Sequence, residues 1–279
     1  MKEPYKDGED LKKAITKKVK KLGAAMVGFA SIDRWEQYQE TQPRFYPQYG
    51  FPFTRTVIVL GVPVQIPVLD TTPSVVYSEL YNTTNRLLDE MAYRLTVFIE
   101  KRGHRTVFFP RDAYGDISVL VQKPEAAFSH VLAGKYAGLG TIGSNHTLLT
   151  KQYGPRVRLV SVLTDAEIAP DEVQEKDLCT HCGLCQKCCP TSAFTVIKGN
   201  PIAYMDKYKC ARYHKTLREE FRYPCGVCIK VCPVGKDRKL YGTNTQKYLN
   251  EIKVLKENPN APEYADWNHF RNFGSKNNL

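Results

Sequence analysis

Eight of the nine cysteines in this 279-residue chain are spaced to hold metal. Cys179, Cys182, Cys185 and Cys189 precede Pro190 as C-x2-C-x2-C-x3-C-P, an iron–sulfur run of the bacterial type. Two-residue spacers let a tight loop wrap three thiolates around one [4Fe-4S] cube. The fourth thiolate leaves the loop for a second cube, and the proline fixes its exit. Cys225, Cys228 and Cys232 before Pro233 repeat the x2 and x3 spacers but lack a first cysteine nearby, which leaves Cys210 to complete the set. The crossover rule then gives one cluster on Cys179, Cys182, Cys185 and Cys232, and another on Cys189, Cys210, Cys225 and Cys228. Cys188 is left over, either packed beside a cluster or standing in for Cys189 at the loss of the x3 spacer. Zinc sites use paired C-x-x-C groups, not three x2-spaced cysteines and a Cys-Pro twice. An odd, closely spaced cysteine count also argues against a disulfide framework.

The elements that must position these thiols fall into three parts. Residues 1–166 interleave helices and strands. Leu11, Ile15, Val19 and Leu22 mark a helix over 9–22, closed by Gly23. Short apolar runs at 25–29, 56–62, 105–109 and 157–163 read as strands. Residues 74–102 carry the longest helical pattern, with Leu80, Leu87, Leu88, Met91, Leu95, Phe98 and Ile99 on one face, and 124–136 reads as another helix. Residues 35–54 read as an irregular loop. The acidic stretch 166–177 is taken as a boundary. The cysteine module spans 167–240, and 241–279 is expected to give one helix near 244–256 and an extended tail. The fold class is α+β.

A formal charge of +11 includes six lysines between Lys12 and Lys21. That run reads as the solvated face of a helix, with a docking patch for RNA or an acidic electron donor as the alternative. No run of apolar residues is long enough to span a membrane, and the polar N-terminus lacks a signal-peptide core, so the cytoplasm is the expected setting.

Gly138-Leu139-Gly140-Thr141-Ile142-Gly143 satisfies G-x-G-x-x-G. A helical stretch precedes it, polar residues follow, and no acidic residue sits about twenty positions on, so a dinucleotide site is not expected. A turn bringing backbone close to another large cofactor fits better.

AGLGTIGSNHTLLTKQYGPRVRLVSVLTD (137–165) followed by CTHCGLCQKCCP (179–190) resembles the epoxyqueuosine reductase and reductive dehalogenase superfamily. The KYKCARYHKT, CGVCIKVCP and LGAAMVGFA segments are similar to it too. The resemblance implies a nitroreductase-like or B12-processing-protein-like N-terminal domain joined to a bacterial-ferredoxin-like double-cluster module. It implies a base-off cobalamin held by Gly138, Leu139, Gly140, Thr141, Ile142, Gly143, Ser144, Asn145, His146 and Thr147, with Tyr153, Arg156 and Arg158. FMN is the lesser alternative in that domain.

The sequence departs from this pattern at the proton donor. The aspartate-bearing run of epoxyqueuosine reductases is replaced by Glu125-Ala126-Ala127-Phe128-Ser129-His130, and the dehalogenases' tyrosine with lysine or arginine has no evident counterpart. Candidate donors are Tyr114, Asp112, Glu125 and His130, each with a packing or turn role as its plainer alternative. The reading is a cobalamin-dependent reductase supplied by two clusters and a low-potential donor such as ferredoxin or flavodoxin, acting on a small molecule or a modified nucleoside. Its rival is an electron-transfer protein without chemistry of its own. A tRNA substrate requires the lysines of 12–21 to ring the site.

Overall fold

α1 (Gly8–Lys21) forms because Leu11, Ile15 and Val19 recur at helical spacing, and all three are buried in the core. This is a computed structural model, and it describes residues 8–112 and 114–276. The polar leader read from Met1 to Asp7 and the last three residues of the tail lie outside the described residues.

β1 (Met26–Ser31) follows α1. The stretch expected to be irregular instead carries α2 (Arg34–Tyr38), a 3-10 turn at Pro43–Phe45 and α3 (Pro47–Gly50). Prolines begin the last two, where a missing N–H costs nothing. β2 (Thr56–Pro63) is buried along all but its last residue. After α4 (Ile66–Leu69), Ser74 accepts from the Tyr77 N–H and caps α5 (Val75–Glu100). The buried stripe of α5 changes character along its length. Leu88, Met91, Leu95 and Ile99 join the core, at about 1.5–3 kcal/mol for each fully buried side chain. Tyr77, Tyr81 and Asn85, on the same stripe, are polar. Leu87 is 44% exposed and lies off it.

β3 (Thr106–Phe109) precedes α6 (Ile117–Gln122) and α7 (His130–Tyr136). The single helix expected over 124–136 begins only at His130, because Pro124 interrupts the pattern and Ser129 provides the cap, accepting from the Leu132 N–H. β4 (Thr141–Ile142) and β5 (Leu148–Leu149) form a hairpin, and β6 (Val157–Thr164) returns to the main sheet.

That sheet is antiparallel with order β1-β2-β6-β3. Alternation sends Ile58, Leu60, Val62, Val160 and Val162 toward α1 and α5. It sends Val57, Val59, Leu159 and Leu163 toward α7, Trp35 and Tyr136. Helices therefore cover both faces. The stretch read as a boundary is part of this core: Ala166 and Ile168 are buried, and the Asp171 N–H bonds to the Phe29 carbonyl at 2.8 Å.

The cysteine-rich part holds α8 (Leu184–Lys187), β7 (Phe194–Thr195), β8 (Tyr204–Met205), α9 (Lys207–Glu219) and α10 (Val227–Lys230). α11 (Arg238–Tyr241) and α12 (Lys247–Glu257) follow. The expected extended tail contains α13 (Ala265–Asn272), which packs on α5.

Candidate functional site

Two short helices of the cysteine part are copies of one another. Cys182-Gly183 leads into α8 and Cys225-Gly226 into α10, each glycine capping its helix in the left-handed region, at φ 72° and 68°. A side chain at Gly226 would strike the Tyr77 ring at 2.7 Å, so this thiol loop is pressed onto the start of α5.

Cys179, Cys182, Cys185 and Cys232 line one cavity together with Ser144, Asn145 and Leu149. Burial pushes the Cys185 thiol up to about 11, and the charges of Cys182 and Cys179 act the same way. Cys232 is likewise raised to about 11, by burial first, with Cys182 and Cys179 again contributing. The other four thiols form a second set. Cys210 is raised to about 11 by burial and by Cys189, and Cys225 to about 12 by burial, with Cys210 and Cys189 adding to it. Cys228 is raised further by burial and by Cys225, Cys210, Cys185 and Cys189, so the two sets adjoin. Among the described residues no three donors converge as one metal ion requires. The thiols stand farther apart, and all nine cysteines are free. Cys188 is 4% exposed and packs with Leu184, Val231 and Tyr248.

A polar cluster adjoins the second set. The β3–β6 ladder ends at Phe109 opposite Ser161, and three residues further along each strand path Asp112 meets Arg158 at 3.3 Å. Arg158 also donates to Asn85 at 3.1 Å and to the Tyr81 hydroxyl at 3.3 Å, and its guanidinium lies 4.4 Å from the Tyr81 ring centre. Tyr81 donates to Asp112. Its hydroxyl stands 3.5 Å from that of Tyr223, which lies 2.5 Å from that of Tyr114. Tyr81 and Tyr223 pack with Cys225, and Thr72 donates to the Cys225 carbonyl. Burial raises Tyr77, Tyr81, Tyr114 and Tyr223 above the ordinary phenol value and keeps them protonated. Burial works against the charge on Arg158, but Tyr81 and Asp112 more than offset it.

Two of the four candidate donors, Asp112 and Tyr114, thus fall into one hydrogen-bonded group. Glu125 does not join them, being held at the surface by Arg44 at 3.1 Å and Lys123 at 3.2 Å. His130 is occupied on both ring nitrogens: Nε2 donates to the Pro110 carbonyl at 3.1 Å and Nδ1 accepts from Ser161 at 2.9 Å. Burial lowers its pKa from 6.5 to about 4, so it is neutral in the fold. Because its folded pKa lies below its unfolded one, the fold loses stability as pH falls from about 6.5 toward about 4, by up to about 3 kcal/mol. His130→Asn is expected to flatten the rise of the urea midpoint across that window.

Within the glycine run the protein's own packing requires a glycine at Gly140. A side chain at Gly140 would lie 1.8 Å from the Leu149 carbonyl oxygen. Beyond the glycines, Asn145 donates to the Cys228 carbonyl at 3.3 Å, His146 Nε2 to the Ala203 carbonyl at 2.6 Å, and Ser144 Oγ lies 3.6 Å from Cys179 Sγ. Thr141 bonds to Asp177, Thr147 to Asn145, and the Tyr153 N–H to Thr150. Leu139 packs in the core and half-buried Ile142 completes the hairpin. Arg156 is 0% exposed, paired with Asp237 at 2.7 Å and donating to the Cys232 and Val234 carbonyls. Of the residues assigned to a cofactor, Arg158 alone joins the tyrosine cluster. Sequence reasoning missed Tyr81, Asn85 and Tyr223. Tyr81 and Asn85 carried a signal: polar side chains on an otherwise apolar helical stripe.

No protein-family profile matches the chain. It is 27% identical over 265 residues to a tetrachloroethene reductive dehalogenase of Dehalobacter restrictus, covering 88% of this chain and 42% of that protein. It is 25% identical over 269 residues to an epoxyqueuosine reductase of Bacillus anthracis, covering 82% and 66%. The chain is a homologue of both groups. A solved reductive dehalogenase, described as suggesting a mechanism for B12-dependent dehalogenation, shares its fold, with a TM-score of 0.63 and 19% identity over 91% of this chain and 38% of that one. The chain spans less than half the length of the dehalogenase relatives it matches.

Proposed function

We propose that the chain is an iron–sulfur reductase. One [4Fe-4S] cluster is held by Cys179, Cys182, Cys185 and Cys232, and the other by Cys189, Cys210, Cys225 and Cys228. Their electrons serve a reductive cleavage at the Tyr81–Arg158 cluster. The observation that carries this reading is the packing of Cys225 against Tyr81 and Tyr223. The donor chemistry fits: eight free thiols gather in two sets of four, desolvation disfavours bare thiolates at Cys225 and Cys228, and iron would supply the compensating charge. The first set, which includes exposed Cys182, faces the surface, and the second faces the tyrosines. Loaded, the clusters supply single electrons of low potential.

The chain's own residues manage the proton. Two-electron cleavage of a bond R–X takes up two electrons and one proton and gives R–H and X⁻. Tyr81, neutral through burial, donates at its hydroxyl oxygen, and Arg158 beside it steadies the phenolate left behind. Tyr223 and Tyr114 lead from that oxygen toward the surface. A mere electron carrier has no use for such a buried donor cluster.

Cobalamin belongs to the proposal through the likeness to the dehalogenases. Arg156 is committed to Asp237 and the Cys232 carbonyl and would not hold it; at Gly138 and Gly140 backbone occupies the side-chain position, which leaves the opposite face of the glycine run to hold it. FMN is the alternative occupant, and cobalt analysis decides between them. The proposed substrate is a small molecule. The lysines of α1 stand at the β1 edge, whereas Arg158 and Asp112 lie at β6 and beyond β3, so they do not ring the site as a tRNA would require. Among the described residues no helix is long and apolar enough to cross a membrane. The cytoplasm is the proposed setting.

The test is anaerobic reconstitution with iron, sulfide and cobalamin, followed by metal analysis and turnover of halogenated and epoxide substrates. Tyr81→Phe and Arg158→Leu are expected to keep their iron and lose about 10²–10⁴-fold in turnover. Iron-free protein after reconstitution, or variants that turn over at the parent rate, would defeat the reading.

A further inference from the structure

The first thiol set includes exposed Cys182, while Cys225 and Cys228 of the second are half-buried, their loop pressed onto the start of α5. Electrons from outside therefore reach the first set more directly. What surrounds its mouth decides which partner can approach.

Three exposed lysines stand there. Pro233 and Val234 line the cavity, and Lys236 follows two residues on, its N–H bonded to the Lys151 carbonyl at 3.2 Å. Lys187 rises from α8 beside Gly183, which lines the same cavity. Among the described residues none of the three has an ion-pair partner, unlike Lys12, Lys135, Lys215 and Lys230 elsewhere. The acidic group at this mouth, Asp177, is engaged by His181 at 3.1 Å and Thr141 at 3.0 Å. Ser144 ties the mouth to the Pro201 carbonyl, and the turn before Pro201 exposes Val196 and Ile197, 58% and 47% accessible. Exposed, unpaired lysines around a solvent-open thiol set are what a transient, charge-steered contact uses.

We propose that the face formed by Lys151, Lys187 and Lys236 around the first thiol set docks an acidic one-electron carrier protein. This rests on the iron–sulfur reading above. Unpartnered lysines raise the local concentration of a negatively charged partner and orient it, an effect that fades with salt. Neither the lysines of α1 nor the cations of α9, including Lys207 and Arg212, line this cavity, and they serve as controls.

The test uses the reconstituted full chain, an acidic flavodoxin and a short RNA stem–loop. Flavodoxin binding is followed by fluorescence anisotropy, and cluster reduction by stopped-flow bleaching with reduced flavodoxin or with dithionite. K151E/K187E/K236E is expected to weaken flavodoxin binding and slow its bimolecular reduction by about tenfold or more at low ionic strength. The difference should shrink toward unity in high salt, with the dithionite rate unchanged. K207E/R212E is expected to behave as the parent. Unaltered binding in the triple variant, the loss appearing in K207E/R212E instead, no binding by any variant at low salt, or tighter binding of the RNA through these lysines overturns the proposal. Anisotropy does not depend on loaded clusters. An iron-free chain that still binds flavodoxin through the three lysines keeps the docking face and refutes the iron–sulfur reading alone.

Discussion

Cys210→Ala is expected to lower the iron and sulfide content of the reconstituted chain from about eight of each to about four. Cys188→Ala is expected to leave both unchanged. The two positions look alike in composition, and in sequence Cys188 is far nearer the other ligands. The environments separate them. Cys210 sits on α9 beside Cys189, which raises it after burial, and Cys210 and Cys189 together add to the rise of Cys225. Cys188 faces Leu184, Val231 and Tyr248, and the first charge that Cys188 feels after burial is Lys230. Removing Cys210 takes one corner from the inner set and leaves the outer four intact. Inductively coupled plasma analysis with electron paramagnetic resonance of the reduced protein distinguishes one cluster from two. Full iron content in Cys210→Ala, or a lost cluster in Cys188→Ala, would show the partition to be wrong.

Arg156→Leu is expected to cost about 3–5 kcal/mol, the usual penalty for breaking a buried ion pair on one side. Arg156 lies at the start of β6, is shut off from solvent, and pairs with Asp237 while holding the carbonyls of Cys232 and Val234. Its loss strands the Asp237 carboxylate, 13% exposed, and frees the chain that follows the last cysteine. Arg156→Leu/Asp237→Leu should recover much of that loss, since two apolar groups leave no buried charge. Urea unfolding of the metal-free chain reads the effect without the clusters. A residue that served only to grip a cofactor would leave the metal-free midpoint where it was.

Much of this was legible in the sequence where one period dominates. The α5 stripe, the β2 run and the cysteine spacers each repeat a local rule, so helix, strand and thiol loops could be read directly. The loop at 35–54 and the helix at 130–136 were blurred because proline and caps, not hydrophobic period, decide where they start. The site was half legible. Asp112 and Tyr114 stood out as polar residues after a strand, but Tyr223 and Tyr81 meet through folds of the chain 142 residues apart. No local spacing carries that information. Gly138 to Gly143 were ambiguous for the same reason: glycine is demanded equally by an approaching cofactor and by an approaching backbone, and backbone of Glu172 and Leu149 stands at Gly138 and Gly140.

The pairing of Phe29 with Asp171 has a consequence for how this chain is divided. The Asp171 carboxylate receives the Phe29 N–H at 3.0 Å and the Lys12 ammonium at 2.7 Å, while its own N–H returns to the Phe29 carbonyl. The segment that leads to the first cysteine is thus stitched along the outer edge of β1, covering a strand edge that would otherwise face solvent. A cut between residues 166 and 167 would not release two modules; it would strip the hem from the sheet and leave the first thiol loop without its anchor.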